Sequence, residues 1–240
     1  MLPVRHVQPP ILRGGVTVRL VSLVVALFAC ALGIVLMLHA DLGLSPWDVL
    51  HQGVAERTGI SFGAATIVVS VLVVVLASRL GWPIGIGTIA NALLVGAFIQ
   101  LLLLTDAIPE PARTGARAGY FALGLAAYGL GSGFYIGANM GAGPRDSLML
   151  VTSRRTGARI GLSRTALEAA ALGAGAALGG SVGVGTLAFA VLVGPTVELS
   201  FLLVSRSPLA VAPAPGRAPA AEAPIYASGS APNPDPRGAQ

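Results

Sequence analysis

The sequence has no lysine, one cysteine and very little charge. Only 10% of its 240 residues are charged, against about 25% in soluble domains, which excludes an ordinary soluble domain. The single Cys30 lies inside an apolar run and excludes an intrachain disulfide framework. Aromatic residues make up 5%, so close helix packing falls to Gly and Ala. Walker A, HExxH and GxSxG sequences and paired catalytic carboxylates are all missing, so an enzyme is not expected. His39 and His51 are too few and too isolated for a metal centre, and His6 lies near the N-terminus, so neither metal nor cofactor is expected.

What is present is apolar. Hydrophobic residues reach 54% and the mean hydropathy is +0.79. Spanning a bilayer takes about 20 apolar residues, and six runs qualify, at 16–38, 62–80, 84–104, 118–138, 160–178 and 182–204. The fifth is the weakest, because it carries Arg164 and Glu168 among Ala and Gly, and it suits a span buried among other helices. The first is too long for a signal-peptide core and reads as an uncleaved anchor. The predicted fold is therefore an all-α polytopic membrane bundle of about six transmembrane helices. The bilayer itself is its first expected partner.

The 15 basic residues, all Arg, exceed 10 acidic ones and give +5. In a membrane protein this charge sets orientation rather than binding nucleic acid. Arg concentrates before the first run, after the second and after the fourth, which places both termini in the cytoplasm. The expected organisation is a cytoplasmic segment (1–15), a first membrane repeat (16–104), a connection (105–117), a second membrane repeat (118–204) and a disordered Pro/Ala-rich cytoplasmic tail (205–240).

The repeat is visible when the chain is slid against itself by 98 residues. ADLGLSPWDVL from Ala40 aligns with ANMGAGPRDSL from Ala138, and GIGTIANALLVG from Gly85 with GVGTLAFAVLVG from Gly183. Roughly a third of positions 32–104 recur, more than shared apolar composition accounts for. Three spans per copy is an odd number, so the second copy starts on the opposite side and the repeats are inverted. Secondary transporters are built this way, with a site near the midplane between the halves.

Each copy carries a motif that opens a short helix. In the first, Gly43 precedes Ser45 as cap, Pro46 in the first turn, Trp47, and Asp48 placed to return a bond to the cap. The second has Gly141, Gly143, Pro144 and Asp146. Gly59 and Gly157 end the helices after about 12 residues, or about 18 Å, too short to cross a hydrocarbon core of about 30 Å. Each helix therefore lies on the interface or re-enters the membrane. On the first, Asp48, His51 and Gln52 share a polar stripe. If that stripe lines a wet cavity, Asp48 and Asp146 become titratable or cation-binding groups; otherwise they are caps.

A few other polar residues fall inside spans. Glu198 aligns with Gln100, one polar position that is ionisable in one copy only, and a carboxylate at that depth is a candidate coupling group. Arg164 and Glu168, four residues apart, can pair on one helix face.

The motif of Gly43, Ser45, Pro46, Trp47 and Asp48, with the following GIGTIANALLVG, resembles the YczE/YyaS/YitT group of bacterial integral membrane proteins, most closely its YczE-like branch, without the soluble C-terminal domain of the YitT-like members. The resemblance implies a bacterial cytoplasmic-membrane protein and supplies no catalytic residue. The leading expectation is a transporter or exporter of a small solute or ion by alternating access, with Asp48, Asp146 and Glu198 as coupling groups. The alternative is a regulatory, assembly or substrate-binding subunit docked to a membrane partner, or a homo-oligomer.

Overall fold

The structure is a computed structural model that describes residues 11–13, 15–207 and 210–211. The segment 1–15 and the tail 205–240 of the sequence reading lie largely outside the described residues. Four of the helices end at a residue in the left-handed region. Thus α1 (Val16–Ala40) stops at Asp41 and its counterpart α5 (Thr114–Ala138) at Asn139, both with φ 50°. The short helices α2 (Pro46–Thr58) and α6 (Pro144–Thr156) open on proline, whose fixed φ suits a first turn, and close on Gly59 and Gly157 with φ 75° and 71°. The longer α3 (Phe62–Arg79), α4 (Ile86–Leu104), α7 (Ile160–Ala177) and α8 (Val184–Arg206) complete an all-helical bundle. A two-residue antiparallel pairing of β1 (Ile11–Leu12) with β2 (Ala210–Val211) joins the two ends.

Among the described residues, α1, α3, α4, α5 and α8 are long and apolar enough to cross a membrane. The fifth run of the sequence reading, α7, has the same 18 residues as α3 but falls short in apolarity. Its Ala, Gly, Arg164 and Glu168 account for that, and it packs against α2. At 13 residues each, α2 and α6 are about 20 Å long.

The helices of the second half begin 98 residues after those of the first, and their packing recurs as well. α1 with α4 is matched by α5 with α8, α2 with α7 by α6 with α3, and α2 with α3 by α6 with α7. α1 and α5 pack on each other along the centre and run antiparallel. A Cβ on Gly33 would stand 2.5 Å from the Gly124 carbonyl, one on Gly131 2.7 Å from that of Ala26, and Arg19 near the start of α1 donates to Ala138 O at the end of α5. Only glycine lets the backbones come this close. Leu23, Leu27, Ile34, Met37 and Ile99 fill the core around this axis. A smaller cluster of Trp47, Trp82, Leu148 and Val151 packs beside the two short helices.

Candidate functional site

The segment ahead of each short helix is held by the far half of the chain. Gly43, at φ 106°, lies so close to α8 that a Cβ would stand 2.6 Å from Gly183 N, and Gly185 N–H donates to Leu42 O at 2.6 Å. The same clasp recurs with the halves exchanged. Gly87 N–H donates to Met140 O at 2.9 Å, the Thr88 hydroxyl donates to Ala142 O at 2.6 Å, and a Cβ on Gly141, at φ 133°, would stand 2.9 Å from Thr88 Oγ1. The starts of α2 and α6 are thereby fixed where the two halves meet.

At the head of α2 the chemistry is closed in on itself. Ser45 Oγ accepts from Asp48 N–H at 3.3 Å, and its hydroxyl donates to Asp48 Oδ2. The other carboxylate oxygen lies 3.3 Å from His51 Nδ1. Ser45 and Asp48 have no exposed surface and His51 only 4%. The head of α6 is open by comparison. Gly143 offers no side-chain cap. The Tyr135 hydroxyl reaches Asp146 Oδ2 at 3.5 Å, and the Arg145 guanidinium lies 5.8 Å over the Tyr128 ring. Among the described residues no hydrogen bond or ion pair engages that guanidinium, although its charge bears on both Asp48 and Asp146.

A cavity of about 300 Å³ opens at the head of α6, lined by Trp47, Tyr128, Tyr135, Arg145 and Asp146, with Arg164, Glu168 and Glu198 along its edge. Concave sites of this size, mostly apolar with a few convergent polar groups, are where small solutes bind. A second cavity of about 30 Å³ lies at the head of α2, beside Asp48, His51, Thr66, Ser70 and Asn91. The two are related by the repeat. Trp47, Asp48, His51, Thr66 and Ser70 of the small one stand 98 residues before Arg145, Asp146, Met149, Arg164 and Glu168 of the large one.

The structure gathers Asp146, Glu198, Pro46, Trp47, Pro144, Arg164 and Glu168 around the large cavity, and Asp48 and His51 around the small one. Arg164 Nε donates to Glu168 Oε1 at 3.0 Å, half exposed. Gln52 is not at either cavity and accepts from Ser181 N–H at 2.8 Å. Gln100 Oε1 is buried without a hydrogen-bond partner, and Gln100 packs against Gly63 of α3. Gly43 and Gly141 serve the clasps. Sequence reasoning missed Arg145, Tyr128 and Tyr135. Arg145 was counted only as a loop charge, yet its place directly after Pro144, opposite Trp47 of the first copy, marked it as a helix-head residue. Tyr128 and Tyr135 are seven residues apart and so share one face of α5.

An all-helical bundle with five membrane-length helices among the described residues, and a mostly apolar cavity with a few polar groups among them, defines a polytopic integral membrane protein. The chain belongs to a family of unknown function, DUF6198, which matches residues 17–201. It is 32% identical over 186 residues to an uncharacterized protein of Haemophilus influenzae, covering 78% of this chain and 84% of that one. It is 34% identical over 128 residues to the uncharacterized membrane protein YczE of Bacillus subtilis, with 52% and 58% covered, and 28% identical over 130 residues to YyaS of the same organism, with 53% and 64% covered. These two relatives are the named members of the group that the Gly43 to Asp48 motif resembles. No solved structure matches the chain.

Proposed function

We propose that the protein is a secondary transporter moving a small solute or ion by alternating access. The observation that carries this reading is the pair of repeat-related cavities, one of about 300 Å³ and the other of about 30 Å³. Two adjoining cavities between the halves of an inverted repeat, one roomy and the other its nearly collapsed copy across the repeat, have the form expected of a protein caught facing one side. The antiparallel α1 and α5, which occupy the same place in each half, support the inversion. Asp146 is the coupling group in the open half and Asp48 its sealed equivalent, with Glu198 at the edge of the large cavity. The chain carries no ATPase motif, so a gradient or a separate subunit supplies the energy. The Arg bias of the loops supports both termini inside, and the likeness to the membrane protein YczE supports the bacterial cytoplasmic membrane.

The full chain reconstituted in liposomes, with solute-dependent currents recorded across a panel of small cations, anions and zwitterions under an imposed proton or sodium gradient, tests the reading. A current for at least one class in the wild type, abolished by Asp146→Asn while the fold persists, is the expected result. Absence of any solute-dependent signal, or equal currents in the wild type and the Asp48→Asn, Asp146→Asn double variant, overturns it.

A further inference from the structure

The repeated packing fails at one place. α3 lies on α4 through glycine backbone: a Cβ on Gly63 would stand 2.5 Å from Gly96 O and 2.7 Å from Gln100 Cβ, and one on Gly96 2.5 Å from Ile67 Cγ1. The residues 98 positions later are Gly161, Gly194, Glu198 and Thr165. Both glycines recur, yet among the described residues a Cβ on Gly161 or on Gly194 meets nothing within 4 Å. α7 and α8 do not pack as α3 and α4 do. The large cavity opens in that gap, where Arg164 and Glu168 of α7 face Gly194 and Glu198 of α8.

Two physical costs attach to the gap as it stands. Glycine inside an exposed helix weakens the helix with no contact in return. Glu198 is exposed on a helix whose neighbouring surface is apolar, and Arg164, 53% exposed, is paired only with Glu168 of its own helix. Charges turned toward hydrocarbon are unfavourable unless paired or wetted. Both costs disappear if α7 reaches α8 as α3 reaches α4.

We infer that the large cavity is shut in a second conformation by α7 seating Gly161 against Gly194 of α8, in the arrangement that α3 and α4 already display through Gly63 and Gly96. The inference deepens the transport reading and rests on it for its purpose. Closure carries Glu198 to the place equivalent to Gln100, against Gly161. Arg164, three residues along α7 from Gly161 and so on the same face, is the cation within reach and takes up Glu198 while keeping Glu168. The tight α3–α4 contact is then the closed gate of the other half, which parts when this one shuts.

The test uses the full chain in membranes, with Cys30→Ala removing the native thiol. Thr165→Cys with Gly194→Cys forms the gate pair, and Ile67→Cys with Gly96→Cys its packed counterpart. Under a mild oxidant both pairs are expected to cross-link within one chain, the gate pair more slowly. Cross-linking the gate pair is expected to cut labelling of Met149→Cys by a membrane-impermeant maleimide at least tenfold, Met149→Cys being combined with the gate pair and labelled before and after oxidation. A packed pair that cross-links while the gate pair stays free, or links only between chains, overturns the inference; the second result would mean that another copy covers the gap. Gly194→Leu, placed in open space, should leave the thermal melt no lower than that of the wild type and prevent closure, so undiminished protection of Met149→Cys in that background also overturns it. Solute current without gate cross-linking sinks the gate and leaves transport standing. Gate cross-linking without any solute current sinks transport and leaves the gate.

Discussion

The heads of α2 and α6 are built to one plan and used in two ways. Both begin on proline after a glycine clasp and place an aspartate three residues beyond the cap position. Around Asp48 the plan is completed by Ser45 and His51, and no water-sized space is left beside the carboxylate beyond a cavity of about 30 Å³. Around Asp146 the cap is a glycine, the residue equivalent to His51 is Met149, and Trp47 is replaced by Arg145. Three side-chain differences thus separate a carboxylate enclosed by its own helix from one that lines a cavity of about 300 Å³. Helix position alone does not say whether an aspartate holds a fold or faces a solute; its immediate partners do.

The comparison breaks most readily at the two aspartates themselves. Asp48→Ala leaves the buried His51 and the Ser45 hydroxyl without their carboxylate, and loss of one member of such a buried set costs about 3–5 kcal/mol. Asp146→Ala removes a half-buried group beside a cavity, where water replaces the lost contact, and should cost about 1 kcal/mol or less. Thermal melting of both variants in mild detergent measures the difference. Equal losses would show that Asp146 is as structural as Asp48. The functional ranking is expected to run the other way, with Asp146→Ala losing solute current while its melt is nearly preserved.

The clasps should behave alike in both halves, which sharpens the contrast by supplying a symmetric control. Gly43→Ala and Gly141→Ala each force a side chain into left-handed backbone, at φ 106° and 133°, and against the opposing helix. Strain of this kind costs about 1–3 kcal/mol. Similar shifts in the two melts are expected, whereas a loss confined to one variant would show that only one half is clasped. Gly59→Ala and Gly157→Ala test the helix ends, where φ is 75° and 71° and nothing lies within 4 Å. The penalty there is conformational only, about 1–2 kcal/mol in each, and unequal values would mean that the two ends differ in the surroundings they fold into.

Much of this architecture was legible in the chain because it rests on local chemistry. Pro46 and Pro144 at helix starts, Gly59 and Gly157 at helix ends and the Ser45 cap follow from backbone preferences that each residue carries wherever it sits. The Arg164–Glu168 pair follows from helical spacing. The repeat offset survived because the glycines at clasps and close contacts admit few replacements. What was not legible depends on partners distant in sequence. Arg145 read as a loop charge because its neighbour over the ring, Tyr128, is contributed by α5. Gln52 shared a polar stripe with Asp48 and His51, yet it bonds to Ser181 before α8 and leaves the cavities to them. That α3 packs on α4 while α7 stands off α8 could not be read from the glycines, since Gly161 and Gly194 repeat Gly63 and Gly96 letter for letter and differ only in what stands opposite.

The smallest expected effect is also the most direct probe of the comparison. Gly143→Ser gives α6 the cap that α2 has, and the gain of a serine over a glycine at that position is only a few tenths of a kcal/mol. The new Cβ would stand 2.7 Å from the Tyr135 hydroxyl and 3.5 Å from Asp146 Oδ2. The serine hydroxyl would therefore take the Asp146 carboxylate as Ser45 takes that of Asp48, displacing Tyr135 and turning the carboxylate away from the cavity. The melt should move by less than about 1 kcal/mol, because the cap and the crowding offset each other. The solute current should nonetheless fall, since an aspartate that has become a cap no longer meets the solute. If the current survives, wetting of Asp146 is not what sets the second half apart, and the open head of α6 has to be explained through Arg145 alone.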